Sequence, residues 1–294
     1  MDQYGISVII ASLNSRETIS ACLESLERQE TRASFEVIVV DSSNDGTATL
    51  VAELFPWVRL FSFNSRKYCG DARNIGISKA RGEIIAFIDA DCTASPAWIR
   101  KLAEAHEAPD SAIGGAVDNG NPESLVGWGA YFTEFSQWMP GGSSGYMVDI
   151  AGANLSYKKR LVEDYGSFIE GTYCSDTEFH WRLEKEGIRL RFDPELVVRH
   201  RNIDKLTDFI RHEFMHGRSF ARVRVRARRF SRARRIAYAL LIPPVAGKIL
   251  ARRIFENASN RVYLKQFLLV FPLVVLGVAC WSAGEFRGYS EKLR

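Results

Sequence analysis

Glu83-Ile84-Ile85-Ala86-Phe87-Ile88-Asp89-Ala90-Asp91 is the stretch that decides the fold class of this chain. An unbroken apolar run from Ile84 to Ile88 fits a strand buried on both faces, the hallmark of a parallel sheet. The run stops at Asp89, and the next two residues leave the strand end, where two carboxylates can aim at one point. A hard divalent ion such as Mg²⁺ or Mn²⁺ takes oxygen ligands and completes its shell with phosphate and water. Asp89 and Asp91 are therefore candidate metal ligands. Taken alone, a D-x-D tripeptide is more often two solvated loop aspartates.

Upstream, the pattern repeats. Residues 6–11, 35–40, 58–63 and 83–88 predict strands, and residues 16–29, 47–54 and 71–80 predict helices between them. In the first helix Ile19, Cys22, Leu23 and Leu26 recur at helical spacing. Asp41-Ser42-Ser43-Asn44-Asp45-Gly46 closes the second strand with a dense turn cluster. This alternation predicts an α/β fold built on a single Rossmann-like parallel sheet covered on both faces. Ligands in such sheets bind beyond the carboxyl ends of the strands. Ser12, Asn14, Asp41, Asp45, Asp89 and Asp91 should then share one rim. A Gly-rich stretch (113–152) follows, then a mixed segment to about His200, and a mainly helical extension from Asp204.

The 294 residues carry a net charge of +4. Nine arginines and no acid lie between Arg218 and Arg235, so the positive charge is local and marks a partner surface for that segment. The five cysteines, Cys22, Cys69, Cys92, Cys174 and Cys280, form no C-x-x-C pair, which fits a reducing, cytoplasmic setting without a disulfide framework or cysteine zinc site. Met1-Asp2-Gln3 is not the basic start of a secretory signal. Residues 266–284 are uncharged and predict a helix at the lower limit of a membrane span, which needs roughly 20 apolar residues. Residues 236–247 are a shorter uncharged run broken by Pro243-Pro244, suited to a re-entrant or interfacial segment. The arginine run reads as one helix. Beside these apolar segments it fits anionic lipid headgroups on the cytoplasmic face of the cell membrane, not nucleic acid. The plainer alternative is a solvated helix face above a buried hairpin, or a homodimer interface.

Several segments resemble family 2 glycosyltransferases in order and spacing. They are Ser7-Val8-Ile9-Ile10-Ala11-Ser12-Leu13-Asn14, Phe35-Glu36-Val37-Ile38-Val39-Val40-Asp41-Ser42-Ser43-Asn44-Asp45-Gly46-Thr47, Ala72-Arg73-Asn74-Ile75-Gly76, Ala80-Arg81-Gly82-Glu83 and Phe87-Ile88-Asp89-Ala90-Asp91. The resemblance covers about residues 6–200. It implies a glycosyltransferase A-type fold, a nucleotide-diphosphate sugar donor (a UDP-sugar first) and inversion at the anomeric carbon. By it, Ser12, Asn14 and Asp41 match positions near the base and ribose, and Arg73 a position near the nucleotide. Asp89 would sit by ribose and metal, Asp91 would bind Mn²⁺ or Mg²⁺ directly, and His200 would approach the metal or diphosphate. Asn154, in the Gly152-Ala153-Asn154 turn, matches a segment lining the donor-sugar pocket. Ala11 and Leu13 replace the family's proline and aromatic residue, and Ser42 a frequent aspartate.

Downstream, Tyr173-Cys174-Ser175-Asp176-Thr177-Glu178-Phe179-His180-Trp181-Arg182-Leu183 opens a helix. Ser175 or Asp176 could simply cap it. The stretch resembles the family's acidic motif, with Ser175 in place of the usual glutamate. That makes Asp176 the candidate general base and Glu178 a second site candidate. Salt bridging for Arg73, a structural role for His200 and an ordinary tight turn at Gly152 are the bland alternatives.

These readings predict a catalytic domain over residues 1–203, with a nucleotide-binding half to about 115 and an acceptor half from 116. A basic, apolar, membrane-associated region follows over 204–294. The predicted reaction is sugar transfer to a hydroxyl of a glycan or lipid-linked acceptor in surface polysaccharide or lipid-linked glycan synthesis. A nucleotidyltransferase is disfavoured because Ala11-Ser12-Leu13-Asn14 lacks a Gly-rich basic loop, and an inactive nucleotide-binding scaffold because Asp89, Asp91 and Asp176 are all present.

Overall fold

The computed structural model describes residues 5–291. In chain order the elements are β1 (Ile6–Ser12), α1 (Ile19–Glu27), β2 (Phe35–Asp41), α2 (Thr47–Leu54), β3 (Arg59–Ser62), α3 (Cys69–Lys79), β4 (Ile84–Ile88), β5 (Cys92–Ala94) and α4 (Trp98–Ala105). There follow β6 (Ala112–Asn119), α5 (Leu125–Phe135), β7 (Gly145–Met147), β8 (Asn154–Lys158), α6 (Lys159–Tyr165), α7 (Ser175–Lys185) and β9 (Leu190–His200). Four helices end the chain: α8 (Leu206–Ala227), α9 (Arg232–Leu240), α10 (Ile242–Asn260) and α11 (Leu264–Ser290). They fall into two compact units, described in turn.

The first unit runs to Gly120 and includes Trp138–Gly171 and Ser175–Arg201. It holds one sheet, in the order β3-β2-β1-β4-β8-β6-β9-β5, with β7 on β9. The β3-β2-β1-β4 half is parallel, as the buried apolar runs predict. Val8, Ile10, Val37, Val39, Ile85 and Phe87 are all buried, each contributing about 1.5–3 kcal/mol of hydrophobic stabilisation. The other half departs from the all-parallel expectation. β8 runs antiparallel between β4 and β6, and β5 and β7 run antiparallel on β9. β1 lies between β2 and β4, so the strand order reverses there and opens a crevice at the carboxyl ends of these strands.

The second unit is helical, formed by Asn121–Gln137, Thr172–Cys174 and Asn202 onward. Its arginine run is not one helix. α8 ends at Ala227, Arg229 takes a positive φ of 46°, and Ser231 caps α9 by accepting from Arg234 N at 3.3 Å. Pro243 and Pro244 do not interrupt a helix either, because they occupy the first turn of α10, where no intrahelical N–H bond is lost. α11 is the one helix among the described residues that is long and apolar enough to cross a membrane. It lies against α8 at backbone contact: a Cβ on Gly217 would strike the Trp281 carbonyl, and one on Gly284 the Phe214 carbonyl. Arg224 reaches Glu285 at 3.2 Å and the Tyr289 hydroxyl at 2.9 Å.

Candidate active site

The rim at the carboxyl ends of β1, β2 and β4 gathers the residues expected there. Ser12 and Asp41 are register partners, and Ser12 Oγ donates to Asp41 Oδ1 at 2.7 Å. Ser43 adds its hydroxyl at 2.6 Å and its N–H at 3.1 Å, so Asp41, fully buried, is held as an acceptor at the end of β2. Asn14 has a left-handed φ of 53°, tolerable for asparagine. Its N–H donates to Ser43 Oγ at 2.6 Å and its Oδ1 accepts from Asn44 N at 3.2 Å. The turns after β1 and β2 are thus locked together.

Arg73 organises the next layer. It sits on α3 and is only 4% exposed, with its guanidinium over the rings of Phe87 and Phe168. It stands 3.5 Å from Asp89 Oδ1 and 3.4 Å from Asp176 Oδ2, and donates to the Gly152 carbonyl at 3.1 Å. Burial opposes its charge, but Asp176 and Asp89 together raise its pKa further. For Asp89, desolvation pushes the carboxyl up, Arg73 pulls it down, and Asp91 pushes it up again. Two glycines permit the arrangement. A Cβ on Gly70 would collide with the Ile169 carbonyl and Ser175, and one on Gly152 with Arg73 and Asp176. Arg73 is therefore a salt-bridging residue, but its partners are the rim carboxylates.

Asp91 and His200 form the other side. β5 pairs with β9 so that Cys92 faces His200, and Arg201 N donates to the Asp91 carbonyl at 2.9 Å. His200 Nε2 lies 3.4 Å from Asp91 Oδ1, which is buried without a hydrogen-bond partner. Ligand atoms of Asp91, Cys92 and His200 fall within 4.8 Å of one another. Burial and then Asp91 push the Cys92 thiol far up, so it stays protonated and a poor ligand. An orphaned carboxylate oxygen beside an imidazole fits a divalent cation such as Mn²⁺ or Mg²⁺.

Asp176 lies in the first turn of α7, where the helix dipole favours a carboxylate, and its Oδ1 accepts from Thr177 N at 2.9 Å. Glu178 is engaged by Arg182 Nε at 3.1 Å on the same helix. Asn154 is spent inside the sheet: its amide donates to the carbonyls of Ala116 and Leu196 and accepts from Trp98 Nε1. Buried at 1% exposure, it holds β8 in place.

Three residues here were not read from sequence. His180 is fully buried, with Nδ1 2.5 Å from Asp149 Oδ1 and Nε2 2.6 Å from the Tyr157 hydroxyl. Burial, then Asp176, pushes the Tyr157 pKa well up, so its hydroxyl stays protonated. The available cue was that His180 follows Asp176 by four residues, placing both on one helix face.

The family model for Glycosyl transferase family 2 matches residues 7–164. The succinoglycan biosynthesis protein ExoO of Rhizobium meliloti is 40% identical over 124 residues, 42% of this chain and 35% of that protein. WfgD of Escherichia coli, a UDP-Glc:alpha-D-GlcNAc-diphosphoundecaprenol beta-1,3-glucosyltransferase, is 38% identical over 93 residues, 31% of this chain and 36% of that one. The matched stretch thus spans about a third of either relative. The mannosyltransferase PcManGT of Pyrobaculum calidifontis, solved in complex with GDP-Man and Mn²⁺, superposes with a TM-score of 0.65 at 19% identity, covering 98% of this chain and 88% of that one. That likeness establishes a glycosyltransferase A-type fold. The chain belongs to glycosyl transferase family 2.

Proposed function

We propose that the enzyme transfers a sugar from a nucleotide-diphosphate donor, a UDP-sugar first, to a hydroxyl of a glycan or lipid-linked acceptor with inversion at the anomeric carbon. The observation that carries this reading is the convergence of Asp89 and Asp176 on the one guanidinium of Arg73, beside Asp91 and His200. Asp176 takes the acceptor hydroxyl proton as that oxygen attacks the anomeric carbon and the bond to the diphosphate breaks. Arg73, 3.4 Å from Asp176 Oδ2, orients that carboxylate. Ser12, Asn14 and Asp41 form the wall for base and ribose. Asp91 and His200, with Asp89 close by, would hold a divalent cation, which when bound offsets the diphosphate charge. Work on surface polysaccharide or lipid-linked glycan is supported by the names of ExoO and WfgD.

The test is transfer from a panel of UDP- and GDP-sugars, with and without Mn²⁺, for the parent and Asp176→Asn. The variant should lose about 10²–10⁴-fold in kcat while donor binding, followed by thermal shift, persists. Parent-like turnover in Asp176→Asn would overturn the base assignment.

Residues 204–294 associate with the cytoplasmic face of an anionic membrane in this reading, and residues 1–203 form the catalytic domain. Support comes from Leu240 on α9, the helix that also carries Arg232, Arg234 and Arg235, and from Phe255 on α10 and Leu268 and Leu269 on α11, all largely exposed apolar side chains. An interfacial position fits better than a crossing. A membrane-spanning α11 would carry Arg218 and Arg224 of the closely packed α8 into hydrocarbon.

A further inference from the structure

α8 contains His212-Glu213-Phe214-Met215-His216. Residues four apart share a helix face, and the two imidazole centroids are 5.7 Å apart. α5 brings Glu134 to the same spot, with Oε1 3.0 Å from His212 Nε2. One ligand atom from each of Glu134, His212 and His216 lies within 4.8 Å of the other two. A tetrahedral zinc shell, with bonds of about 2.0–2.2 Å, has ligand-to-ligand edges of about 3.4 Å. Small side-chain rotations close that gap.

A second observation points the same way. Glu213 is 1% exposed, and its Oε1 has no hydrogen-bond partner. Arg253 pairs with Glu256 at 3.1 Å and donates to the Thr133 carbonyl at 2.9 Å.

We propose that Glu134, His212 and His216 form a Zn²⁺ site, separate from Asp91 and His200, that fastens α5 to α8. Two imidazoles and one carboxylate are a zinc donor set, and they leave a fourth position for water or an anionic ligand. Glu213 is too buried to act on a substrate, so the site is structural or regulatory, not hydrolytic.

The test uses the full chain carrying Asp91→Asn, which removes a ligand of the other centre, after chelator treatment and dialysis. Co²⁺ titration should give one equivalent with the visible bands of a tetrahedral complex, displaced by Zn²⁺. Adding His216→Gln or Glu134→Gln should weaken binding about 100-fold or more, read by competition with a chromophoric chelator. Absence of tight binding in the Asp91→Asn chain overturns the site, as does unchanged affinity in a folded His216→Gln or Glu134→Gln variant. Glu134→Gln preserves size and a hydrogen-bonding oxygen, so it decides the matter should His216→Gln fail to fold.

Discussion

Arg73 and Asp176 are 103 residues apart in sequence, yet guanidinium and carboxylate stand 3.4 Å apart beneath the rim of the sheet. The same guanidinium reaches Asp89, so one buried cation aligns the strand-end acid with the helix-start acid. Lysine cannot reproduce this planar, several-pronged contact. Arg73→Lys should fold but lose at least about 10-fold in kcat, while Arg73→Met should also lose about 3 kcal/mol of stability, the low end for breaking a buried pair. Urea denaturation and initial rates measure both. Parent rates in Arg73→Lys would remove Arg73 from the proposed machinery.

Asp91 is tested through its metal. Asp91→Asn should abolish Mn²⁺ stimulation and lower kcat by about 100-fold or more, since Asn is a weaker ligand than the carboxylate. Mn²⁺ binding by electron paramagnetic resonance, with EDTA-treated parent as reference, reads the same event without turnover. Retained stimulation in the variant assigns the metal elsewhere.

Gly152 has no room for a side chain, because a Cβ there would meet Arg73 and Asp176. Gly152→Ala should cost about 1–3 kcal/mol as an overpacked site, and should depress transfer more than Ala substitution at Gly145, around which space is open. Equal rates for the two variants would show that the close approach is unimportant.

His106 offers a stability measurement. Burial, then Lys158 and Arg191, pull its pKa from the ordinary 6.5 down to about 4. Within that window the unfolded chain binds a proton that the folded chain refuses, so stability is full above the upper limit and falls as pH drops. The loss at the lower limit should approach about 3 kcal/mol. His106→Gln can still meet Ser156, bonded at 2.8 Å in the parent, and should flatten the decline in urea midpoint between neutral and acidic pH. An identical decline in both proteins would contradict the assignment.

Leu240, Phe255, Leu268 and Leu269 are tested with vesicles. Flotation with phosphatidylserine-containing vesicles should retain the parent at low salt. Leu268→Asp with Leu269→Asp should weaken retention severalfold, and added salt should weaken the parent by screening its arginines. Failure of the parent to float would remove the membrane reading.

Sequence by itself determined the parallel half of the sheet and its rim. Val, Ile and Phe runs in β1, β2 and β4 have one stable arrangement, buried on both faces, and the acids that end them must then lie at one edge. Tertiary structure decided what those acids meet. Arg73, Gly152 and Asp176 come together only because α3, β8 and α7 converge, and no local period encodes a contact across that separation. The Asp149–His180–Tyr157 chain and the mixed half of the sheet were hidden for the same reason: their partners are far apart in sequence. The arginine run also needed the fold. Its composition favours a helix throughout, but α8 ends at Ala227 and α9 begins at Arg232, across a positive φ at Arg229.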